Sequence, residues 1–552
     1  MVKHNSDQLM LFDCISDTIQ EDDLFIKEVN QDPIVLKDDV IRRLFCYELN
    51  DYISDVEHNG LKRTWDYICQ FVIENIDSVP SFLDIKNFGE LYEIGLAVRD
   101  KVTKKKSGQY YTPDDVATVM AEWLCECQGN AVCDVACGTG KLILTYLDMI
   151  GYSKARELIS EGRLYLYDLD EIALKICKTT ISIKYGLDIA GLINDIHCDF
   201  LDKSIMLPSD SIVISNPPYA KIDTIQKNWK KTDVLCNTKE YYSAFMDKII
   251  GQAKSTVIIT PFSFISGAKF YSLRKRMSQT GHGFVVAFDN VPGNVFCGRK
   301  HGIFNTNTTN SVRAAITVMH QSQKNKGFRI SPLIRFKNEE RERLFRCKTL
   351  ERTLSLNHQI VDDKNEYFRK IDDDLFGVFN SWINKSEETL ADFLSVGMTE
   401  YFIDMPNTCR YYTTASSRKL NRTGSISMYL RSSDEFNFIY CFINSSFAYW
   451  WWRIYDGAIT YPLSLLYSLP VPYSLLNDDD KKSFASMAEK LIVAQDDFTI
   501  TKINAGVPQE NIKFPEKYRA DINKKILSLL GFPEKDPHFR KVHSNRYFEE
   551  TK

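Results

Sequence analysis

The sequence predicts an α/β protein built on a parallel sheet of seven strands, with a helical N-terminal domain and a mixed α+β C-terminal region. Three observations lead there. Seven short β-rich runs alternate with helix-patterned stretches between residues 107 and 320. The runs are continuously apolar, as strands buried on both faces are. Several end in turns that carry glycines, acids or an amide, where open α/β sheets place their ligands.

Taken in order, residues 1–103 lack glycine-rich turns and space Leu44, Tyr47, Leu49 and Tyr52 as a helix does, which predicts a helical domain. Lys104–Lys106 read as a linker or a phosphate contact and open the second domain, 104–320. Its first helix follows from Val116, Val119, Met120, Trp123, Leu124 and Cys127, which share one helical face. The strand runs are 131–136, 164–169, 194–200, 211–215, 256–260, 284–289 and 314–319. Residues 321–475 mix basic clusters with aromatics and lack a clean period, and 476–552 return to a helical pattern.

Composition narrows the class. With 552 residues, 44% hydrophobic, the chain can bury several cores. A net charge of −4 means that any nucleic-acid contact rests on local basic groups. No apolar run reaches about 18 residues, the length of a membrane span. The polar, acidic stretch Met1–Asp23 is neither a signal nor a transit peptide, which points to the cytoplasm. Most of the fourteen cysteines sit in apolar runs, such as Cys46, Cys133, Cys177 and Cys441, and no spaced CxxC pair follows Cys125 and Cys127. They read as buried thiols, and no metal is expected.

The first strand ends in Asp134-Val135-Ala136-Cys137-Gly138-Thr139-Gly140. Glycines between a strand and a helix let backbone approach a nucleotide-like ligand. This is not a phosphate loop, because Leu142 follows Lys141 where Ser or Thr would be needed. The second strand ends at Asp168, a carboxylate suited to ribose hydroxyls, and the third leads into Asp199, suited to an adenine amino group.

The fourth strand runs into Asn216-Pro217-Pro218-Tyr219, the most specific signal in the chain. Two prolines fix successive φ angles and remove two donors, so backbone carbonyls are held out for another use. The Asn216 side chain adds an acceptor, and Tyr219 adds a ring able to stack on a flat ligand. An exocyclic amine is a poor nucleophile because its lone pair is delocalised into the ring. Two acceptors, Asn216 and the Pro217 carbonyl, would bond its two hydrogens and free that lone pair for methylation, so positioning and electrostatics would supply the rate.

On these residues the chain resembles the gamma class of adenine-N6-specific DNA methyltransferases, the Asn-Pro-Pro-Tyr family of type II restriction-modification systems, over about residues 107–320. The resemblance begins at Gly108-Gln109-Tyr110-Tyr111-Thr112-Pro113 and runs through Tyr241-Tyr242-Ser243-Ala244-Phe245. It implies a seven-stranded, Rossmann-like core that binds S-adenosyl-L-methionine through Tyr111, Thr112, Pro113, Asp134, Ala136, Gly138, Gly140, Asp168, Asp199 and Asn216. Asn216, Pro217, Pro218 and Tyr219 would carry catalysis on a base flipped out of double-stranded DNA. Phe288–Pro292, Val295-Phe296 and Ser311–Arg313 are similar to the late motifs, where Phe296 or Phe304 would pack on that base.

Beyond the core, Phe442–Ser446, Ala448–Trp452 and Pro470–Pro472 are similar to the distal part of target-recognition domains, so 321–475 is expected to read DNA. Candidate DNA contacts are Arg299, Lys300, Arg313, Arg410, Arg418, Lys419 and Arg422, with Arg329, Arg335 and Lys337 in the same basic clusters. Trp450–Trp452 read as core rather than a stacking platform.

Rival readings remain open. The tetrapeptide also occurs in glutamine methyltransferases acting on release factors and in ribosomal RNA guanine methyltransferases, which are shorter. The chain could be the modification subunit of a multi-subunit restriction system that needs a specificity subunit, or a partner of a cognate restriction endonuclease. A DNA-binding protein with a dead site is opposed by the intact tetrapeptide. Cytosine C5 chemistry needs a Pro-Cys dipeptide, which is absent, and cytosine N4 enzymes carry serine in place of Asn216. Asp84-Ile85-Lys86 lacks the partner acid of a nuclease core.

Overall fold

The computed structural model describes Gly89 and residues 112–297, 312–504 and 506–548. The chain divides into two compact units. The first holds the described residues up to Arg329 together with Arg335–Arg352 and His358–Glu366, and the second holds Ile330–Ile334, Thr353–Asn357 and the chain from Tyr367 onward. The first unit therefore runs past residue 320, where the sequence placed the end of the catalytic segment. The expected N-terminal domain, 1–103, lies outside the described residues apart from Gly89.

The first unit is mixed α/β around a large, mostly parallel sheet. Its elements run α1 (Asp114–Cys125), β1 (Ala131–Val135), α2 (Lys141–Ile150), α3 (Tyr152–Ser160), β2 (Leu164–Asp168), α4 (Glu171–Tyr185), β3 (Asn194–His197), β4 (Ser211–Ser215), α5 (Asp233–Thr238), α6 (Tyr241–Ile250), β5 (Ser255–Pro261), α7 (Tyr271–Thr280), β6 (Gly281–Ala287), β7 (Ala314–Gln321) and β8 (Gly327–Ile330). The strand order is β3-β2-β1-β4-β5-β7-β6-β8. Strands β1 to β5 pair in parallel, and β7 is antiparallel to both β5 and β6. Each of the seven expected runs forms a strand. The eighth, Gly327–Ile330, joins the sheet beside β6, outside the span searched for strands.

Burial explains the pattern. Every residue of β1 and β4 is buried, which is why these strands read as unbroken apolar runs. Pro113 starts α1 with φ −62°, a geometry proline has already fixed. The predicted stripe Val116, Val119, Met120, Trp123 and Leu124 is buried, and α1 packs on β4 and β5. With β1 and β4 sealed, the site groups gather at and just past the carboxyl ends of the strands.

The second unit is built around α10 (Asp373–Lys385), α11 (Ser433–Asn444), α12 (Ser446–Tyr455), α14 (Asp478–Ala494) and α15 (Glu516–Leu530); α8 (Arg341–Leu344) and α9 (Cys347–Glu351) precede them and α13 is Leu463–Tyr467. Trp450, Trp451 and Trp452 are buried in its core, with Trp382 stacked on Trp450 at 5.9 Å. The segment expected to be helical, 476–552, also contains an antiparallel hairpin, Thr499–Asn504 with Val507–Ile512. Its first strand alternates threonine and isoleucine, β-branched residues that favour extended backbone, and Gly506 sits in the turn at φ +80°. Among the described residues, no helix is long and apolar enough to cross a membrane, and no group of three or more His, Cys, Asp or Glu is arranged to hold a metal ion.

Candidate active site

Strands β1 and β4 bring the two halves of the expected site together. They pair with Val135 opposite Ser215, and Ser215 Oγ donates to the Val135 carbonyl. The glycine loop leaves β1 and the tetrapeptide leaves β4 from this shared rung. From β1 the order runs outward to β2 and β3, and from β4 to β5, so the gap between their carboxyl ends is the topological switch point of the sheet.

Ala136, Gly138 and Gly140 all have left-handed backbone, at φ +63°, +53° and +93°. The Ala136 and Cys137 N–H groups donate to the Tyr167 carbonyl at 2.8 and 3.1 Å, which curls the loop over the end of β2. There Asp168 accepts from the Gly138 N–H and the Asp170 N–H, both at 2.7 Å. The two glycines do different work. A Cβ added to Gly138 would meet nothing within 4 Å, whereas one on Gly140 would run into Cys177 Sγ. Gly138 therefore borders open space, and Gly140 is required by packing against α4 as well as by its φ.

Asp134 is fully buried, and neither carboxylate oxygen has a hydrogen-bond partner among the described residues. Burial, and then the neighbouring Asp168 carboxyl, raise its pKa well above the ordinary carboxylate range; the Ile143 backbone opposes this only weakly. Burial also raises Asp168, against the backbone N–H groups of Asp170 and Gly138. A buried carboxylate without a partner is costly. A cation brought beside it would relieve that cost. Together with the open cradle over Gly138, this fits the cationic methionine end of S-adenosyl-L-methionine.

Asp199 lies just past β3. Its carboxylate accepts from the Leu201 N–H at 3.0 Å and from Trp229 Nε1 at 2.7 Å. The indole partner was not foreseen, since Trp229 stands in a loop with no motif around it.

In the tetrapeptide, Asn216 Nδ2 donates to Thr112 Oγ1 at 3.0 Å. Thr112, from the opening Tyr-Thr-Pro motif, is buried. The amide nitrogen is thus turned toward α1 and the carbonyl oxygen to the opposite end of the group. The Tyr219 hydroxyl donates to the Ile259 carbonyl at 3.3 Å. The Tyr219 ring meets Phe296 edge-on at 5.8 Å and Tyr242 at 6.4 Å. Tyr242 belongs to the expected helix motif, and its hydroxyl pairs with Ser263 Oγ at 2.8 Å. Of the two aromatics proposed for the late motifs, Phe296 packs on Tyr219, and Phe304 lies outside the described residues. Gly108 to Tyr111, Arg299 and Lys300 also lie outside them.

The basic candidates separate by burial. Arg313 and Arg335 are buried and turned onto Asp289, at 3.0 and 2.8 Å. This corrects the expectation that Arg313 contacts DNA: its guanidinium is spent on an interior carboxylate. In the second unit, Arg418 pairs with Asp496 and Glu510, Lys419 with Asp404, and Arg422 donates to the Glu510 carbonyl and Asn511 Oδ1. Arg418 and Arg422 tie their loop to the hairpin, and Lys419 ties it to the strand pair Phe402–Pro406 and Ser425–Tyr429. Arg410 is exposed. A groove of about 820 Å³ in the first unit, lined by Trp229, Lys248 and Arg276 among others, runs along α5 to α7 rather than over the strand ends.

Comparison with known proteins agrees with this geometry. The family model "N-6 DNA Methylase" matches residues 83–366. The type I restriction enzyme MpnII methylase subunit of Mycoplasma pneumoniae is 23% identical over 306 residues, 51% of this chain and 53% of that protein. The type I restriction enzyme MjaIX methylase subunit of Methanocaldococcus jannaschii is 29% identical over 136 residues, 24% of this chain and 22% of that protein. The chain thus spans about half the length of the first relative and under a quarter of the second. Among solved structures, a DrdV–DNA complex matches with a TM-score of 0.44 at 14% identity, over 76% of this chain and 48% of that one. With its matched segment covering more than half of the sequence and holding both the glycine loop and the tetrapeptide, the chain belongs to the N-6 DNA methylase family.

Proposed function

We propose that this chain transfers a methyl group from S-adenosyl-L-methionine to the N6 amino group of adenine in double-stranded DNA. The observation that carries the reading is the placement of Asn216–Tyr219 beside the Asp134–Gly140 loop at one switch point, with Asn216 anchored to Thr112. The bound cofactor supplies an electrophilic methyl group on a sulfonium. Asp134 faces its cationic end, Ala136, Gly138 and Gly140 let it lie against backbone, Asp168 takes the ribose hydroxyls and Asp199 the adenine amino group, with Tyr111, Thr112 and Pro113 closing the methionine side. Asn216 Oδ1 and the Pro217 carbonyl accept the two hydrogens of the target amine, and Pro218 keeps that carbonyl fixed. Tyr219, backed by Phe296 and Tyr242, stacks on the flipped base. These groups hold and orient, so most of the rate comes from preorganisation.

Asn216→Ala should lower methyl transfer about 10²–10³-fold at saturating cofactor, the usual cost of losing one preorganised polar group. Normal transfer by this variant would overturn the assignment. The assay is labelled methyl transfer to unmethylated genomic DNA with the product nucleosides resolved.

A second reading is favoured by the names of the relatives, which are methylase subunits of type I restriction enzymes. On that reading the chain is a modification subunit that works with a separate specificity subunit. Transfer by the chain alone would favour recognition in cis by the second unit. Cofactor binding without transfer would favour the subunit.

A further inference from the structure

We propose that Arg341 is a positioning residue for methyl transfer, holding the two walls of the catalytic tetrapeptide in register; this rests on the function proposed above. Arg341 Nε and Nη2 bind Asp115 Oδ2 and Oδ1 at 2.9 and 2.8 Å, a bidentate pair. The remaining donors reach backbone: Nη1 to the Asn294 carbonyl at 2.7 Å and Nη2 to the Val295 carbonyl at 3.0 Å. The guanidinium is buried and lies over the Phe345 ring at 4.5 Å.

Each partner leads to the tetrapeptide by one step. Asp115 stands in the first turn of α1, just after Thr112 and Pro113, and Thr112 receives the Asn216 amide. Asn294 and Val295 lead into Phe296, whose N–H donates to Asn294 Oδ1 at 2.9 Å and whose ring rests edge-on against Tyr219. One guanidinium therefore joins the wall that orients Asn216 to the wall that backs Tyr219. Only a planar fork makes these contacts together; an ammonium is a point charge and would hold Asp115 or the carbonyls, not both. Arg341 touches neither the Asp134–Gly140 loop nor Asn216 directly, so its loss is read on the chemical step at saturating cofactor.

The test uses the full chain with labelled S-adenosylmethionine and unmethylated genomic DNA, both saturating, under single-turnover conditions. Arg341→Lys keeps the charge and much of the volume. It should lower the rate about 10²-fold, the cost of a misplacement on the order of 1 Å, at saturating cofactor and at a temperature where both proteins are fully folded. Asp115→Asn, which frees one wall only, should lose less rate than Arg341→Lys. An active wild type with an equally active Arg341→Lys overturns the inference alone. So does a rate loss that vanishes at saturating cofactor, or that matches the fraction of protein unfolded at the assay temperature. A wild type that transfers no methyl group counts against the proposed function and takes this inference with it.

Discussion

Asp134→Asn should make the cofactor-free protein more stable and its cofactor binding weaker. The side chain is fully buried, and both its oxygens lack partners among the described residues. An unsatisfied buried polar group costs about 1–3 kcal/mol, and more when charged. An amide of the same shape removes the charge but leaves its own polar atoms unpaired, so at neutral pH a net gain of about 1 kcal/mol is expected in the absence of cofactor, the difference between burying a charged and a neutral unpaired group. That corresponds to about 2–4 °C in melting temperature per kcal/mol. The pH dependence has a definite sign. The folded pKa is raised by burial and by Asp168, so the folded state holds its proton more tightly than the unfolded chain. Stability without cofactor is then greatest below the unfolded value near pH 4 and is lost as pH rises toward the raised folded value. Asp134→Asn lacks this slope. Cofactor affinity runs the other way across the same window, because a cationic ligand favours the ionised carboxylate and binding there releases a proton. Losing a charge-assisted hydrogen bond should cost about 10–100-fold in affinity. Scanning fluorimetry across pH and calorimetry in buffers of different ionisation enthalpy read both effects. A variant that melts lower without cofactor, or that binds S-adenosylmethionine as tightly as the wild type, would refute the assignment of Asp134.

The two glycines of the loop should separate in the same assays. Gly138→Ala bears a left-handed penalty of about 1–2 kcal/mol and weakens cofactor binding by filling the cradle, whereas Gly140→Ala also strikes Cys177 and should lower the melting temperature further. Asp289→Asn leaves Arg313 and Arg335 buried against an uncharged group and should destabilise by about 3–5 kcal/mol, measured by denaturant unfolding. Conversely, Arg313→Gln should leave the salt dependence of DNA binding unchanged, because a buried guanidinium neutralises no phosphate; a shallower salt slope would return Arg313 to the DNA interface.

What the sequence made legible follows from locality. Strand runs, the α1 stripe and both turns are short-range patterns, since a buried strand must be apolar and a left-handed turn admits few residues. Asp134 and Asn216 could be placed at the ends of the first and fourth apolar runs before their neighbours were known. Other features depend on chain segments far apart in sequence. The Arg341–Asp115 pair and the Trp229–Asp199 bond span loops with no periodicity. Arg341 also lies in a stretch assigned to target recognition, which the compact division places with the sheet. Basic residues misled for a related reason: charge in a sequence does not reveal whether it faces water or an interior acid, as Arg313 and Asp289 show. The hairpin after Ala494 was overlooked because helical residues flank it on both sides.

The β1–β4 pairing bears directly on how methyl transfer would be positioned. The turn after β1 has left-handed backbone and the turn after β4 has φ fixed at negative values by its prolines, so one is glycine-rich and the other proline-rich. The first yields room for a ligand; the second yields acceptors that do not move. Both start from the Val135–Ser215 rung, and paired strands lie about 4.8 Å apart. The separation between a methyl donor seated on one turn and an amine held by the other is therefore set by backbone hydrogen bonding in the centre of the sheet, where it is least free to vary. Loops and side chains such as Phe296 and Arg341 then have only to correct orientation. Substitutions in them should accordingly change the rate of transfer with little effect on whether the two substrates bind.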